Sequence, residues 1–149
     1  MTPELGTARA ADIPELVELL GILFTQEAEL SPDPEKQRRA LETILRDAFR
    51  ARIYVARDGE AIVAMAALHF TTSTSEGGRV AWFEDCIVRP EYRRQGIGKA
   101  LLEHVIAQAR AEGALRVMLL TDGDNARAQA LYRKMGFTPS SMLAMRLNL

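Results

Sequence analysis

The sequence predicts a mixed α/β domain of the α+β kind, because its hydrophobic period changes along the chain. Residues 13–49 repeat apolar side chains at helical spacing, and residues 51–88 switch to period two and short apolar runs. Residues 80–121 then read strand, helix, strand. That unit implies a parallel pair with a crossover helix, whereas strands joined by a tight turn imply antiparallel pairing.

The elements follow in order. Residues 5–10, LGTARA, fit a short edge strand. Asp12 stands as N-cap of the first helix, with Glu15 three residues on completing a capping box and Pro14 tolerated in the first turn. Leu16, Leu19, Leu20 and Leu23 form its apolar stripe, and SPDPEK at 31–36 ends it. A second helix follows with Leu41, Ile44, Leu45 and Phe49 on its buried face. RIYVARDGEAIVAMAALHF reads as two strands turned at Asp58-Gly59, and TTSTSEGG as a polar loop. RVAWFEDCIV at 79–88 is a third strand of this meander. A helix runs to about Glu112 and stops at Gly113; LRVMLLT is a buried strand; a helix over 126–135 closes at Gly136 with Phe137 packing back on the cap. MLAMRLNL at 142–149 alternates and predicts a final strand.

Composition narrows the function. A chain of 149 residues without repeats or a long linker reads as one domain, 1–149, able to bury a sizeable core. The formal net charge of −1 supplies no general field for nucleic acid or an anionic membrane. One cysteine, Cys86, excludes an intramolecular disulfide and fits a reducing, cytoplasmic location. The N-terminus lacks a basic stretch followed by an apolar block, and the longest apolar run, AIVAMAAL, is far short of the ~20 residues of a membrane span. No His/Cys/Asp spacing suggests a metal site.

The stretch RPEYRRQGIGKALLEHV, residues 89–105, sets glycines and arginines in front of a helix. Gly96 and Gly98 leave the backbone of 94–99 bare, and the helix start adds unpaired N–H donors and a positive dipole end. A dinucleotide fingerprint needs glycine where Leu101 stands, and a P-loop needs glycine at Arg93 and Ser or Thr at Ala100. What remains is Arg93-x-x-Gly96-x-Gly98 after a strand and before a helix. A plain turn with solvated charges is the competing reading.

That pattern resembles the acyl-CoA pyrophosphate loop of the GNAT superfamily of N-acyltransferases. CIVRPEYRRQGIGKALL resembles the family's strand, loop and amphipathic helix, and DNARAQALYRKMGF resembles its second signature. The two blocks lie within residues 79–138; the N-terminal half agrees in element order only. The resemblance implies a mostly antiparallel central sheet of six to seven strands with a splayed parallel pair, flanked by four helices. It implies acetyl-CoA as co-substrate, held by Arg93, Arg94, Gln95, Gly96, Ile97, Gly98 and Lys99. It places the backbone of Cys86, Ile87 and Val88 along the pantetheine arm and Asn125 near it; Asn125 is equally a helix N-cap. Tyr132 aligns with the tyrosine taken as general acid toward the CoA sulfur, against a plain packed tyrosine.

Glu84 and Asp85 are two carboxylates in an apolar strand, an arrangement that costs stability unless one is solvated or paired. Alternation sets them on opposite faces unless a bulge intervenes. FEDCIV resembles the corresponding strand of the diamine and spermidine acetyltransferase branch, which implies Glu84 as base through water or as an ammonium anchor, against two acids that only solvate a sheet edge. Trp82 stands where another branch places its base. His69 and His104 read as packed or surface histidines, Cys86 as a core thiol without a partner base, and Arg133 and Lys134 as a solvated helix face.

The function expected is direct acetyl transfer in a ternary complex to a primary amine of a small molecule: a polyamine, diamine or amino-acid-like metabolite. Glu27, Glu29 and Asp33, in the region where the family's first two helices shape the acceptor site, favour a cationic acceptor, with plain surface charges as the equal alternative. The alternatives are a protein N-terminus or lysine as acceptor, or an acyl-CoA-binding module without turnover. Nucleic-acid binding through Arg89, Arg93, Arg94 and Lys99 is disfavoured for want of an aromatic platform, and a homodimer is a further expectation.

Overall fold

Seven consecutive residues, Ile62 to Leu68, are buried in one strand, which requires cover on both faces of its sheet. The computed structural model describes residues 2–149 and supplies that cover with helices. In chain order the elements are β1 (Glu4–Thr7), α1 (Ile13–Gln26), α2 (Pro34–Arg46), β2 (Ala51–Asp58), β3 (Ala61–Ser73), β4 (Gly78–Val88), α3 (Ile97–Ala111), β5 (Val117–Leu119) and α4 (Ala126–Lys134). The strands form one sheet in sequential order, antiparallel from β1 to β4 and parallel between β4 and β5.

Helices α1 and α2 lie on one face, where Leu16, Leu19, Leu20 and Leu41 pack with Ile53, Val55, Met65 and Ile87. Helix α3 lies on the other, where Ile97, Leu101, Leu102 and Val105 meet Tyr54, Ala66, Leu68 and Phe83. The amphipathic stripes read from the sequence are therefore the faces that are buried.

One buried ion pair fixes α1 to the sheet. Asp12 takes Arg57 Nη1 and Nη2 at 3.0 and 2.5 Å and the Arg9 N–H at 2.7 Å. The expected capping box from Asp12 to Glu15 does not form: Asp12 precedes α1 without a side-chain cap bond, and Glu15 instead accepts the Ile62 N–H at 2.9 Å. Asp12 instead caps the single turn 10–12 through the Arg9 N–H while pairing with Arg57, and Glu15 ties α1 to the sheet through a backbone N–H of β3.

Three other expectations are corrected. Phe49 lies beyond the end of α2, exposed, with the Arg79 guanidinium 4.3 Å from its ring centroid. The polar loop shrinks to residues 74–77, because β3 continues through Thr71, Thr72 and Ser73 opposite Val80, Arg79 and Gly78. The sheet has five strands rather than six or seven. Residues 142–149 have strand alternation but no ladder partner among the described residues, and Met145 is 94% exposed. Alternation specifies a face; a strand also needs an edge to pair with.

Arg57 holds the Asp12 carboxyl below the usual carboxylate range, chiefly through their hydrogen bonds. A depressed folded-state pKa stabilises the fold above the unfolded value near 3.8 and loses that contribution as pH falls through the folded value. Asp12→Asn is expected to cost about 3 kcal/mol at pH 7 by leaving Arg57 buried without its counter-charge. Urea melts should show the gap from wild type narrowing below pH 4; a pH-independent gap would remove the ion pair as its cause.

Candidate active site

Strand β4 carries the site because its two edges are treated differently. It pairs with β3 along its length, but with β5 only where Ala81, Trp82 and Phe83 oppose Val117, Met118 and Leu119. From Glu84 onward the β5-side edge has no ladder partner among the described residues. Main-chain polar groups on such an edge are free to pair with an extended ligand.

A bulge interrupts β4 at the point where the edge opens. Ala67 opposes Glu84 and Met65 opposes Ile87, so Asp85 and Cys86 together face Ala66. Asp85 takes φ 55°, a left-handed conformation that costs a non-glycine residue on the order of 1 kcal/mol. The bulge rather than strict alternation then sets the side chains. Glu84, opposite Ala67, and Asp85, lining a cavity with Ala67 and Met65, both lie on the α1–α2 side. Cys86 turns to the α3–α4 side.

The two acids differ in surroundings. The Glu84 side chain is 55% exposed and lies 3.9 Å from His69 Nε2. Asp85 is half-buried, and desolvation pushes its pKa up to about 6, with Glu84 and Glu27 adding like charge. Its wall position belongs to a cavity of about 250 Å³ between α1, α2 and the sheet. Of the acids between α1 and α2, Asp33 accepts the Lys36 N–H at 3.2 Å as N-cap of α2, and Glu29 pairs with Arg146 at 2.8 Å. Glu27 stays near the site: burial and Asp122 raise its pKa.

Where β4 ends, residues 89–99 turn into α3. Arg94 at φ 63° and Gly96 at φ 80° are both left-handed. A Cβ on Gly96 would meet nothing within 4 Å, so glycine is there for conformation. A Cβ on Gly98 would lie 3.4 Å from Val88 Cγ2, an ordinary contact, so neither space nor backbone conformation demands glycine there. The first helical bond runs from the Ala100 N–H to the Gly96 carbonyl at 3.0 Å, leaving the N–H groups of Ile97, Gly98 and Lys99 without an intrahelical partner. Gln95 is exposed beside them. The cations are partly committed: Arg89 donates to the Ile62 carbonyl and to Glu18 at 2.8 and 3.0 Å, Arg93 Nε donates to the Val88 carbonyl at 3.0 Å, and Lys99 lies 3.6 Å from Glu103.

Helix α4 presents Tyr132. Asn125 Oδ1 accepts the Ala128 N–H at 3.1 Å, an N-cap as its residue type predicts. At the other end Gly136, at φ 98°, donates to the Arg133 carbonyl and Phe137 to the Tyr132 carbonyl, each at 3.0 Å. This Schellman closure brings Phe137 edge-on to Tyr132 at 5.9 Å, and Phe83 of β4 holds the other side at 6.3 Å. Burial keeps the phenol well above its ordinary pKa, with the nearby Cys86 and Glu27 adding to the shift. It remains a protonated donor at neutral pH. Burial likewise pushes the Cys86 thiol up to about 12, which leaves it un-ionised and a poor nucleophile.

Strand β4 thus turns Glu84 and Asp85 toward α1 and α2 and Cys86 toward Tyr132, with residues 93–99 following at the end of the same strand. His104 lies apart, edge-on to Tyr54 at 5.7 Å. Among the described residues no three His, Cys, Asp or Glu gather as a metal-holding group, and no helix is long and apolar enough to cross a membrane. The cavity behind Asp85 was not legible in the sequence, since its walls come from five elements; the only local signal was an acid in an apolar strand.

Comparison with known proteins agrees with this architecture. Over 55 residues the chain is 42% identical to the ribosomal protein bS18 alanine N-acetyltransferase of Escherichia coli K12, a match spanning 37% of either chain. It is 29% identical to a glucosamine 6-phosphate N-acetyltransferase of Trypanosoma brucei brucei over 98% of this chain and 95% of that one. A possible acetyltransferase from Clostridium difficile 630 shares the fold, with TM-score 0.88 at 19% identity over 100% and 99% of the two chains. Residues 13–137 match the Acetyltransferase (GNAT) family, and the chain belongs to that family.

Proposed function

We propose that this chain transfers an acetyl group from acetyl-CoA to a primary amine of a small molecule by direct attack in a ternary complex. The observation that carries this reading is the free edge of β4 running into the α3 start, with the protonated phenol of Tyr132 beside it. Cys86, Ile87 and Val88 offer main-chain groups to an extended arm. The bare N–H groups of Ile97, Gly98 and Lys99, with Arg93, Arg94, Gln95 and Gly96 around them, suit a pyrophosphate. Asn125 closes the far side by fixing α4.

Acetyl-CoA, when bound, supplies the thioester carbonyl at which the amine adds and the C–S bond breaks. Tyr132 holds a proton at its phenol oxygen for the departing sulfur, and Glu84, solvated at the mouth, takes the amine proton through water. An un-ionised Cys86 is consistent with direct attack rather than an acyl-enzyme. Retention of an acid at 84 and a phenol at 132 favours turnover over a binding module.

We also infer a homodimer. Met142, Leu143, Met145 and Leu147 form an exposed apolar strand sequence, and β5 is a sheet edge without a partner among the described residues. A second copy placing its residues 142–149 along β5 would satisfy both.

Acetyl-CoA at a hundred times its Kd is expected to stabilise the fold by about 2.7 kcal/mol, measured as a thermal shift. Tyr132→Phe should keep that shift while lowering kcat about 100-fold, the scale of a lost general acid; an unchanged kcat would strike Tyr132 from the mechanism. Light scattering on a gel-filtration peak should give twice the 16.5 kDa chain mass. Leu147→Asp should return it to one chain mass, and a monomeric wild-type peak would reject the strand pairing.

A further inference from the structure

The cavity beside Asp85 has an uneven lining. Leu20, Phe24, Leu41, Ile44, Ile53 and Met65 make its walls apolar, and its only charged residues are Asp85 and Lys36. Asp85 combines a left-handed backbone with a carboxylate that lacks a hydrogen-bonding or cationic partner within the described residues. Each feature costs stability, and a bound cation would offset the second.

We propose that this cavity is the acceptor site and that it selects a primary amine carried on a compact apolar body, the ammonium held by Asp85. This rests on the acetyltransferase reading above and narrows its substrate class. Size agrees: a wholly apolar cavity of roughly 150 Å³ takes benzene, and this one, at about 250 Å³, has room for a branched alkyl or phenylalkyl group. Charge agrees as well. A diamine or polyamine would drive its second ammonium among aliphatic side chains or toward Lys36, a like charge whose neighbouring carboxylate, Asp33, it already holds at 4.0 Å. The bulge matters to this assignment, because it sets Asp85 on the cavity side while the next residue, Cys86, turns to the Tyr132 side.

The test uses the whole chain and amines of defined shape. With acetyl-CoA and free-thiol detection, kcat/KM for 2-phenylethylamine and 3-methylbutylamine should exceed that for putrescine and spermidine at least tenfold. Asp85→Asn, which tolerates the same backbone conformation, should raise KM for 2-phenylethylamine at least tenfold and change kcat less than threefold. Ala40→Phe, at an exposed position on the cavity rim, should raise that KM without reducing the acetyl-CoA thermal shift. A binding readout separates this inference from the catalytic one: 2-phenylethylammonium alone should raise Tm of wild type but not of Asp85→Asn. Loss of thiol release with that shift retained would reject the transferase reading and keep the cavity assignment. Preference for diamines, or an Asp85→Asn variant with unaltered KM and ligand-induced Tm shift, would overturn the assignment.

Discussion

The site depends on the parting of two parallel strands. β4 and β5 share a ladder for three residues and separate after Phe83 and Leu119. Had they stayed paired, the main chain of 84–88 would be fully bonded within the sheet and unavailable. Parting frees those groups in a protein interior where unpaired polar backbone is costly, so the separation fits a chain that binds something extended there. Helix α3 adds its unpaired N–H groups at the end of the same strand, and α4 closes the gap from the β5 side. The sheet can afford this opening because β3 holds β4 from the other edge and both helical layers grip β3.

The bulge at Asp85 adds a second constraint. It advances the side-chain alternation by one residue within a strand still held by β3 on both sides of the defect. Consecutive residues 84, 85 and 86 thereby acquire different surroundings: an exposed acid, a half-buried acid facing α1 and α2, and a half-buried thiol facing α3 and α4. The pKa changes follow from those surroundings, since burial raises both Asp85 and Cys86. A regular strand would give Asp85 to the α3 layer, among Ala66, Leu68 and Phe83, where its charge would have neither solvent nor a cation.

How much of this the sequence discloses depends on the range of the interaction. The glycine loop, the Asn125 cap and the Gly136–Phe137 closure are local, and their residue types encode them directly. The helical stripes and the Asp58-Gly59 hairpin are legible for the same reason. Asp12 and Glu15 mislead because a capping box is a local solution that loses to Arg57 and the Ile62 N–H, which come from β2 and β3. Phe49 misleads because helical spacing says nothing about where a helix stops. Residues 142–149 spell a strand but do not name a partner. The cavity lies beyond local reading altogether: its aliphatic walls are ordinary core residues in each separate element, and only their convergence on one unpartnered carboxylate distinguishes them.

The charges in the loop before α3 can be ranked by what else holds them. Arg89 is bonded to the Ile62 carbonyl and Glu18, so it locks the start of the loop against β3 and α1. Arg93 folds back on Val88 and stabilises the end of β4. Both act on the shape of the loop before any ligand arrives. Only Arg94 and Lys99 keep mobile charge toward solvent, and Lys99 shares its own with Glu103. An exposed, screened cation contributes little to holding an anion, whereas three unpaired N–H groups at a helix start are fixed in direction and need no reordering. The loop's arginines therefore shape the turn, and the backbone between Gly96 and Lys99 is what stays free to meet an anion.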